Sequence, residues 1–276
     1  MKEFFRRTLS GVIYAAIVVA SLLGPWPLFL CAMAFALCYT MHEFYRMSLG
    51  SSYKLERVLA IIAALSCFCL LFASRMAWLD GGWVYFSLLP LLACMVAPAW
   101  KSETGTYGKM GYICAGLVFI ALPLILSAPL VLRAGEFNGL LLLCIFIIVA
   151  LTDVGAYCLG TLLGQRPGAI KLAPKISPKK SLWGLFGGII TGVLAALLVS
   201  RLGWLKLDLG HSIALGALLS VVAVLGDLTE SLWKRYFGVK DSGTLIPGHG
   251  GLYDRLDSML FAIPLTLCYL EIFGLL

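Results

Sequence analysis

Apolar runs long enough to cross a bilayer repeat along almost the whole chain. There are about nine of them, and a membrane-spanning helix needs roughly 20 apolar residues. They cover approximately residues 9–23, 27–41, 58–74, 83–100, 112–132, 139–163, 182–200, 211–226 and 256–273. With 61% hydrophobic and only 13% charged residues among 276, the chain has more apolar surface than a water-soluble fold can bury. The pattern predicts an all-α, polytopic integral membrane protein.

The positive charges are distributed asymmetrically between the two predicted sides of the membrane. If the N-terminus is cytoplasmic, all but four of the 21 Lys and Arg residues fall on the inner side; the exceptions are Arg75, Arg133, Arg201 and Lys206. Cytoplasmic loops carry this excess in membrane proteins. The net charge of +7 is therefore interpreted as topology rather than nucleic-acid binding. We expect a single membrane domain over 1–276, with N-terminal helices over 1–135 and catalytic helices over 136–276.

The first half carries little chemical signal. The run at 9–23 has no small-x-small cleavage pattern and is predicted to be a retained span rather than a signal peptide. The nine cysteines lie in or beside apolar runs without a CxxC pair, which favours packing over disulfides or zinc. His42 and Glu43 could be a ligand pair, but at the end of a span they are most simply structural.

The stretch 227–257 is densely polar between two apolar runs. Asp227 and Glu230 are three residues apart, so they share a helix face, and Asp254 and Asp257 repeat that spacing. Brought together, four carboxylates could not all stay ionised without a cation. Oxygen ligands without a nearby histidine or cysteine pair suit Mg²⁺. The residues thus predict a Mg²⁺ site and leave room for a second cation.

A glycine-rich turn, residues 247–251, lies between the two acidic pairs. Its exposed backbone amides could wrap phosphate oxygens. The surrounding bases are Lys234, Arg235, Lys240 and Arg255. Internal salt bridges, such as Glu230 with Lys234, account for some of these charges but not for the dense alternation of glycines, acids and bases.

Two further polar features precede this stretch. Asp153 lies within the sixth run, where an aspartate is costly, and a functional role is favoured over a helix-packing one. The glycines at 155, 160 and 164 would allow close helix packing there. The connector 171–184 holds two prolines and four lysines, and Ser181 could cap the helix that follows. A phosphate site is favoured there over a loop that only contacts anionic lipid headgroups.

The C-terminal half resembles the phosphatidate cytidylyltransferases, or CDP-diacylglycerol synthases. The resemblance is carried by Ser231-x-x-Lys234-Arg235-x4-Lys240-Asp241-x-Gly243-x-x-Ile246-Pro247-x-His249-Gly250-Gly251-x-x-Asp254-Arg255-x-Asp257. The upstream segments DVGAY, SPKKS and GDLTES are also similar to that family. The N-terminal runs match only in hydrophobic character.

The resemblance implies a Mg²⁺-dependent transfer of the cytidylyl group from CTP to phosphatidate, with release of pyrophosphate. It also implies a homodimer in the bacterial inner membrane, with its active site facing the cytoplasm. It implies cation ligands at Asp227, Asp254 and Asp257, with Glu230 as a further candidate, and catalytic roles for these three aspartates and Lys180. The implied substrate-binding residues are Asp153, Ser177, Lys179, Lys180, Lys234, Arg235, Lys240, Asp241, His249, Gly250, Gly251 and Arg255.

One departure from the family and three rival functions bear on this expectation. The family commonly has a glutamate where this chain has Trp183, so another residue must supply that acid or the acid is dispensable. A CTP-dependent polyprenol kinase could use the same parts, and only its products would differ. A CDP-alcohol phosphotransferase lacks support because its DxxDG…AR…GxxxD…D pattern is missing from the sequence. An ion-coupled transporter would place its acids near the bilayer midplane.

Overall fold

The computed structural model describes residues 2–50, 53–97 and 106–276. The long helices are α1 (Lys2–Leu23), α2 (Trp26–Leu49), α3 (Lys54–Arg75), α8 (Leu140–Leu162), α9 (Leu182–Arg201), α10 (Leu209–Tyr236) and α12 (Met259–Ile272). The shorter ones are α4 (Leu88–Val96), α5 (Thr106–Gly116), α6 (Leu122–Ile125), α7 (Ser127–Val131) and α11 (Tyr253–Leu256), with a 3₁₀ segment at Gly81–Ser87 and a π segment at Leu117–Ala121. Two small antiparallel hairpins pair β1 (Leu132–Arg133) with β2 (Glu136–Phe137) and β3 (Lys171–Ala173) with β4 (Ser177–Ser181).

Six helical segments among the described residues are long and apolar enough to cross a membrane. They are Trp26–Leu49, Lys54–Arg75, Gly108–Val131, Leu140–Leu162, Leu182–Arg201 and Leu209–Tyr236. The prediction of an all-α integral membrane protein is confirmed at this level. The first and fourth predicted runs form shorter apolar helices, and the last forms α12, which has 14 residues. Residues 98–100 of the fourth run lie outside the described residues, and the count of nine spans and the cytoplasmic N-terminus stay predictions.

The chain forms two compact units, here called unit 1 and unit 2. Unit 1 consists of Met1–Gly139 with Val239–Arg255, and unit 2 of Leu140–Gly238 with Leu256–Leu276. The return of residues 239–255 to unit 1 was not anticipated by the sequence. Whether the protein functions as a single domain, with catalysis confined to 136–276, stays a prediction.

Aromatic side chains of α2 and α3 build the core of unit 1. Phe29 and Phe72 stack with ring centroids 6.2 Å apart, and Phe68 lies 6.5 Å from Phe29. Phe137 of the β1–β2 hairpin lies 5.5 Å from Phe29, which ties the hairpin to the same core. Phe29, Phe68 and Phe72 are each at most 1% exposed. Large buried rings contribute several kcal/mol each, about 3–5 when replaced by alanine, so this cluster holds α2 in place.

Small residues bring the helices of unit 2 into close contact. A Cβ on Gly155 would lie 2.6 Å from the Gly187 carbonyl oxygen, and one on Gly216 would lie 2.9 Å from the Gly192 carbonyl oxygen. The predicted close approach at Gly155 is confirmed, and it joins α8 to α9 as Gly216 joins α9 to α10. Thr152 and Ser220 hydroxyls bond to each other at 3.0 Å across α8 and α10. Such small-residue contacts are typical of helices that pack within a bilayer.

The opposite face of α9 is a stripe of large apolar side chains. The exposed members, three or four residues apart, are Trp183, Phe186, Ile190, Leu194 and Leu198. Exposure of such a stripe to water would be unfavourable, so it is assigned to lipid. Trp183, at the position of the family glutamate, belongs to this stripe and is 48% exposed.

Candidate active site

Three carboxylates of unit 2 come together at the end of α10. Asp227 and Glu230 lie one helical turn apart, and Asp257 lies in the turn that precedes α12. One oxygen of each residue lies within 4.8 Å of the others. Asp227, Glu230 and Asp257 are called the acidic cluster below. The i, i+3 spacing predicted the first pair, and the packing of α12 against α10 adds the third member.

The close approach of Asp257 depends on a glycine in α10. A Cβ on Gly226 would lie 2.6 Å from the Asp257 carbonyl oxygen, so a larger residue would displace the turn. Ser258 then donates its hydroxyl to the Ala223 carbonyl at 3.1 Å, and its backbone amide donates to the Asp257 carboxylate at 2.7 Å. These bonds hold the turn against α10 and fix the direction of the Asp257 side chain.

Two lysines are paired with the acidic cluster. The Lys180 ammonium lies 2.6 Å from the Asp227 carboxylate, and the Lys234 ammonium lies 2.6 Å from the Glu230 carboxylate, which is 2% exposed. The predicted Glu230–Lys234 salt bridge is therefore confirmed. Asp153 of α8 lies close enough to Asp257 for the two carboxylates to repel each other. Four acids thus oppose two ammonium groups, and hard oxygen donors with surplus negative charge suit a divalent cation.

The basic connector is an ordered hairpin rather than a plain loop. The Lys171 ammonium donates to the Gly164 carbonyl at 2.7 Å, and the Gln165 side chain donates to the Lys179 carbonyl at 2.8 Å. Ser181 accepts a hydrogen bond from the Gly184 amide at 3.2 Å, so the predicted N-cap of α9 is confirmed. The hairpin directs Lys180 toward Asp227, while Lys179 is exposed.

The glycine-rich turn belongs to unit 1, within residues 241–251, which are called the glycine loop below. The Ile246 amide donates to the Gly250 carbonyl and the His249 amide to the Ile246 carbonyl, both at 2.9 Å. Gly248 and Gly250 have φ of +80° and +86°. Only glycine adopts these values without strain, so the sequence predicted a turn here for a sound physical reason.

Asp254 joins the two ends of the glycine loop. Its Oδ2 accepts hydrogen bonds from the Ser242 amide at 2.9 Å, the Ser242 hydroxyl at 2.9 Å and the Gly251 amide at 2.7 Å. Asp254 is only 8% exposed, as expected of a buried carboxylate whose oxygen is satisfied by several donors. Its role as a cation ligand stays a prediction.

Helix α1 contacts the tip of the glycine loop. The Ser10 hydroxyl lies 3.0 Å from the Pro247 carbonyl oxygen and 3.0 Å from His249 Nδ1. Burial lowers the pKa of His249 below 6.5, and the positive charges of Arg255 and Arg7 lower it further. Both causes therefore favour the neutral form of the imidazole.

Helix α2 contacts the base of the glycine loop through Glu43. Glu43 Oε2 accepts from the Tyr253 amide at 2.8 Å and from the Ser242 hydroxyl at 3.2 Å. The sequence interpretation treated this residue as structural. The available signal was an acidic residue two positions after an apolar run, where burial of a carboxylate is costly unless it has partners.

The predicted site residues divide between the two units. Unit 2 contains Asp153, Ser177, Lys179, Lys180, Asp227, Glu230, Lys234, Arg235 and Asp257, and unit 1 contains Lys240, Asp241, His249, Gly250, Gly251, Asp254 and Arg255. Arg235 Nε lies 3.5 Å from the Ile176 carbonyl oxygen, beside the hairpin. Lys240 and Asp241 are exposed at the start of the glycine loop. In unit 2 the acidic cluster lies beside Lys180 and Lys234, and in unit 1 the predicted residues lie in or next to the glycine loop.

Comparison with known proteins gives a consistent result along the whole chain. Residues 5–273 match the model of the cytidylyltransferase family. A phosphatidate cytidylyltransferase of Staphylococcus haemolyticus is 32% identical over 94% of this chain and 96% of its own length, and one of Bacillus subtilis is 29% identical over 99% and 100%. One of Staphylococcus epidermidis is 47% identical over 120 residues, a match that spans 44% of this chain and 45% of that relative. On the match that spans residues 5–273, the chain belongs to the cytidylyltransferase family.

Proposed function

We propose that this protein transfers the cytidylyl group of CTP to phosphatidate, giving CDP-diacylglycerol and pyrophosphate. The observation that carries the proposal is the acidic cluster, whose carboxylates lie within 4.8 Å of one another beside Lys180. The similar proteins named phosphatidate cytidylyltransferases favour this reaction over a polyprenol kinase or an ion-coupled transporter.

The acidic cluster fits Mg²⁺ because all its donors are carboxylate oxygens, and Asp227, Glu230 and Asp257 would hold the ion. When bound, Mg²⁺ would neutralise phosphate charge and stabilise the charge that develops on the leaving group. A cation-ligand role for Asp254 is proposed on family resemblance alone. A second cation is compatible with the number of acids.

The chain's own residues would overcome the repulsion between two anionic substrates. Lys179, Lys180 and Arg235 would bind phosphate oxygens at the hairpin, and the glycine loop would bind phosphate through its amides. A phosphatidate oxygen is already anionic and needs no strong base. It forms a bond to the α-phosphorus of CTP as the bond to the β-phosphate oxygen breaks, and the electron pair leaves on pyrophosphate.

The assay that tests this function uses the purified full chain in detergent with CTP, phosphatidate and Mg²⁺. We expect equimolar pyrophosphate and CDP-lipid, and no product when any one component is omitted or when EDTA removes the cation. Replacing phosphatidate by a polyprenol provides the control for a kinase. CDP formed from the polyprenol, with no pyrophosphate from phosphatidate, would refute the proposed function.

The assembly and location are proposals of the same kind. We propose a location in the bacterial inner membrane, with the active site facing the cytoplasm, on the basis of the charge asymmetry and the bacterial relatives. A homodimer is proposed on family resemblance alone. Light scattering of the detergent-solubilised protein would give the mass of the assembly. Labelling of Lys179 and Lys206 by an impermeant amine reagent in right-side-out vesicles should modify Lys206 alone.

A further inference from the structure

Glu43 is an acidic side chain buried inside an apolar helix. It is 2% exposed, and its neighbours Met41, Phe44 and Tyr45 on α2 are fully buried. Burying a carboxylate is costly unless hydrogen bonds or charges compensate. The contacts that compensate it therefore indicate what the residue does.

Those contacts are with the two ends of the glycine loop. Glu43 Oε2 accepts from the hydroxyl of Ser242, near the start of the loop, and from the amide of Tyr253, two residues after its end. These partners lie 199 and 210 positions from Glu43 in sequence. One carboxylate oxygen thus connects α2 to both ends of a turn that no local interaction would place there.

Two glycines of the loop leave space for the Glu43 carboxylate. A Cβ on Gly243 would lie 2.8 Å from the Glu43 carboxyl carbon, and a Cβ on Gly251 would collide with both carboxylate oxygens. Neither glycine has a positive φ, so conformational freedom does not explain them. Among the described residues, Glu43 Oε1 has no hydrogen-bond partner and faces these two glycines. The base of the loop is shaped around this side chain.

The tip of the loop offers a backbone donor. In the part of the chain that the structure describes, the Gly248 amide donates to no backbone carbonyl, whereas Gly250 forms an antiparallel bridge with Ile246. We propose that Glu43 is a positioning residue, which holds the glycine loop in the conformation that binds a phosphate group of the substrate. The proposal rests on the proposed function, since CTP and phosphatidate both bring phosphate oxygens.

The first experiment measures the loop without any substrate. Hydrogen–deuterium exchange of the full chain in detergent would compare wild type with Glu43→Leu and Glu43→Gln. The matched control is Ser48→Ala, which removes a buried hydroxyl of α2 that bonds to the Phe44 carbonyl of the same helix. We expect peptides covering 241–255 to exchange faster in Glu43→Leu, with α9 peptides unchanged. Ser48→Ala should leave the loop at the wild-type rate.

The second experiment measures steady-state kinetics with CTP and phosphatidate varied separately. Losing a charge-assisted hydrogen bond corresponds to about tenfold or more, so we expect Glu43→Leu to raise KM for one substrate by that factor while kcat changes less. The substrate whose KM rises identifies which phosphate the loop binds. Glu43→Gln keeps an oxygen that can accept from the Tyr253 amide and should stay within about threefold of wild type.

Three results would overturn the proposal. The first is a loop that exchanges at the wild-type rate in Glu43→Leu, and the second is faster exchange without any change in KM. The third is a Glu43→Gln variant as impaired as Glu43→Leu, because that would assign the role to charge rather than to hydrogen bonding. If Glu43→Leu does not fold, Ser242→Ala removes one of the two contacts with Glu43, together with the hydroxyl bond to Asp254. It should reproduce part of the faster exchange and of the higher KM. A wild type that makes no pyrophosphate would refute the proposed function, while the exchange data would still decide whether Glu43 holds the loop.

Discussion

The acidic cluster of unit 2 and the glycine loop of unit 1 use carboxylates in opposite ways. Asp254 and Asp257 are three residues apart in sequence, yet Asp254 accepts three hydrogen bonds from the loop, whereas Asp257 lies with Asp227 and Glu230. A carboxylate surrounded by amides and hydroxyls has its lone pairs satisfied and acts as an anchor. Carboxylates that face one another retain capacity and surplus charge for a cation.

The two regions are also held in place differently. The acidic cluster, proposed to hold the cation, depends on the close packing of α10 against the Asp257 turn at Gly226. The glycine loop, proposed to bind phosphate, accepts and donates hydrogen bonds with Glu43 of α2 and Ser10 of α1. The N-terminal helices, which have little chemical signal in sequence, therefore contact the glycine loop.

The largest expected effect comes from the acidic cluster. Asp227→Asn keeps the side-chain shape but removes a charge that pairs with Lys180, and we expect kcat/KM to fall by about a hundredfold or more. Pyrophosphate release measures it. The control is Asp208→Asn, which keeps the N-cap of the same helix because Asn caps as well as Asp. Near-normal turnover by Asp227→Asn would remove the cluster from the mechanism.

Asp254→Asn tests the other side of the comparison. An amide at this position accepts fewer and weaker bonds from Ser242 and Gly251, so we expect activity to fall and exchange in residues 241–255 to rise together. The expected cost is about 1–3 kcal/mol of local stability. The control variant is Asp80→Asn, which makes the same change at an exposed aspartate. A loss of activity with no change in exchange would favour a cation-ligand role for Asp254 over an anchoring one.

Ser181→Ala should have a moderate effect confined to unit 2. It removes the cap on α9, and the expected loss is about 1 kcal/mol of stability. Thermal unfolding in detergent measures it, and Thr161→Ala, which removes an exposed hydroxyl bonded within α8, is the control. The capped end of α9 follows the hairpin that directs Lys180, so activity should also fall. The fall should be only a few-fold, because Lys180 itself is retained. An equal change in both variants would contradict the capping role.

The smallest expected effect is the pH dependence carried by His249. Its pKa is lower in the folded protein than the unfolded value of about 6.5, so the unfolded state binds the proton more readily. Because of His249, the free energy of unfolding therefore decreases as the pH falls through 6.5. Well above that pH, His249 has no effect on it. Melting temperatures of wild type and His249→Gln should agree at pH 8, and wild type should lose more between pH 7 and 5.5. Parallel curves would show that His249 does not contribute.

Much of the architecture follows from local sequence properties. Runs of apolar residues predict membrane helices because the cost of exposing them to water does not depend on their partners. The turn at Gly248 and Gly250, the Ser181 cap and the Asp227–Glu230 pair are likewise short-range features, set by steric limits and helix periodicity. The motif from Ser231 to Asp257 was sufficient to indicate the family.

Long-range contacts account for the remainder, because no local rule states which distant side chains meet. Sequence spacing treated Asp254 and Asp257 as an equivalent pair, and only the folded chain shows that Asp254 closes the glycine loop while Asp257 completes the acidic cluster. Glu43 is separated from its partners by about two hundred residues. Its position depends on the packing of α2 in unit 1, where donors of Ser242 and Tyr253 satisfy one oxygen of the buried carboxylate.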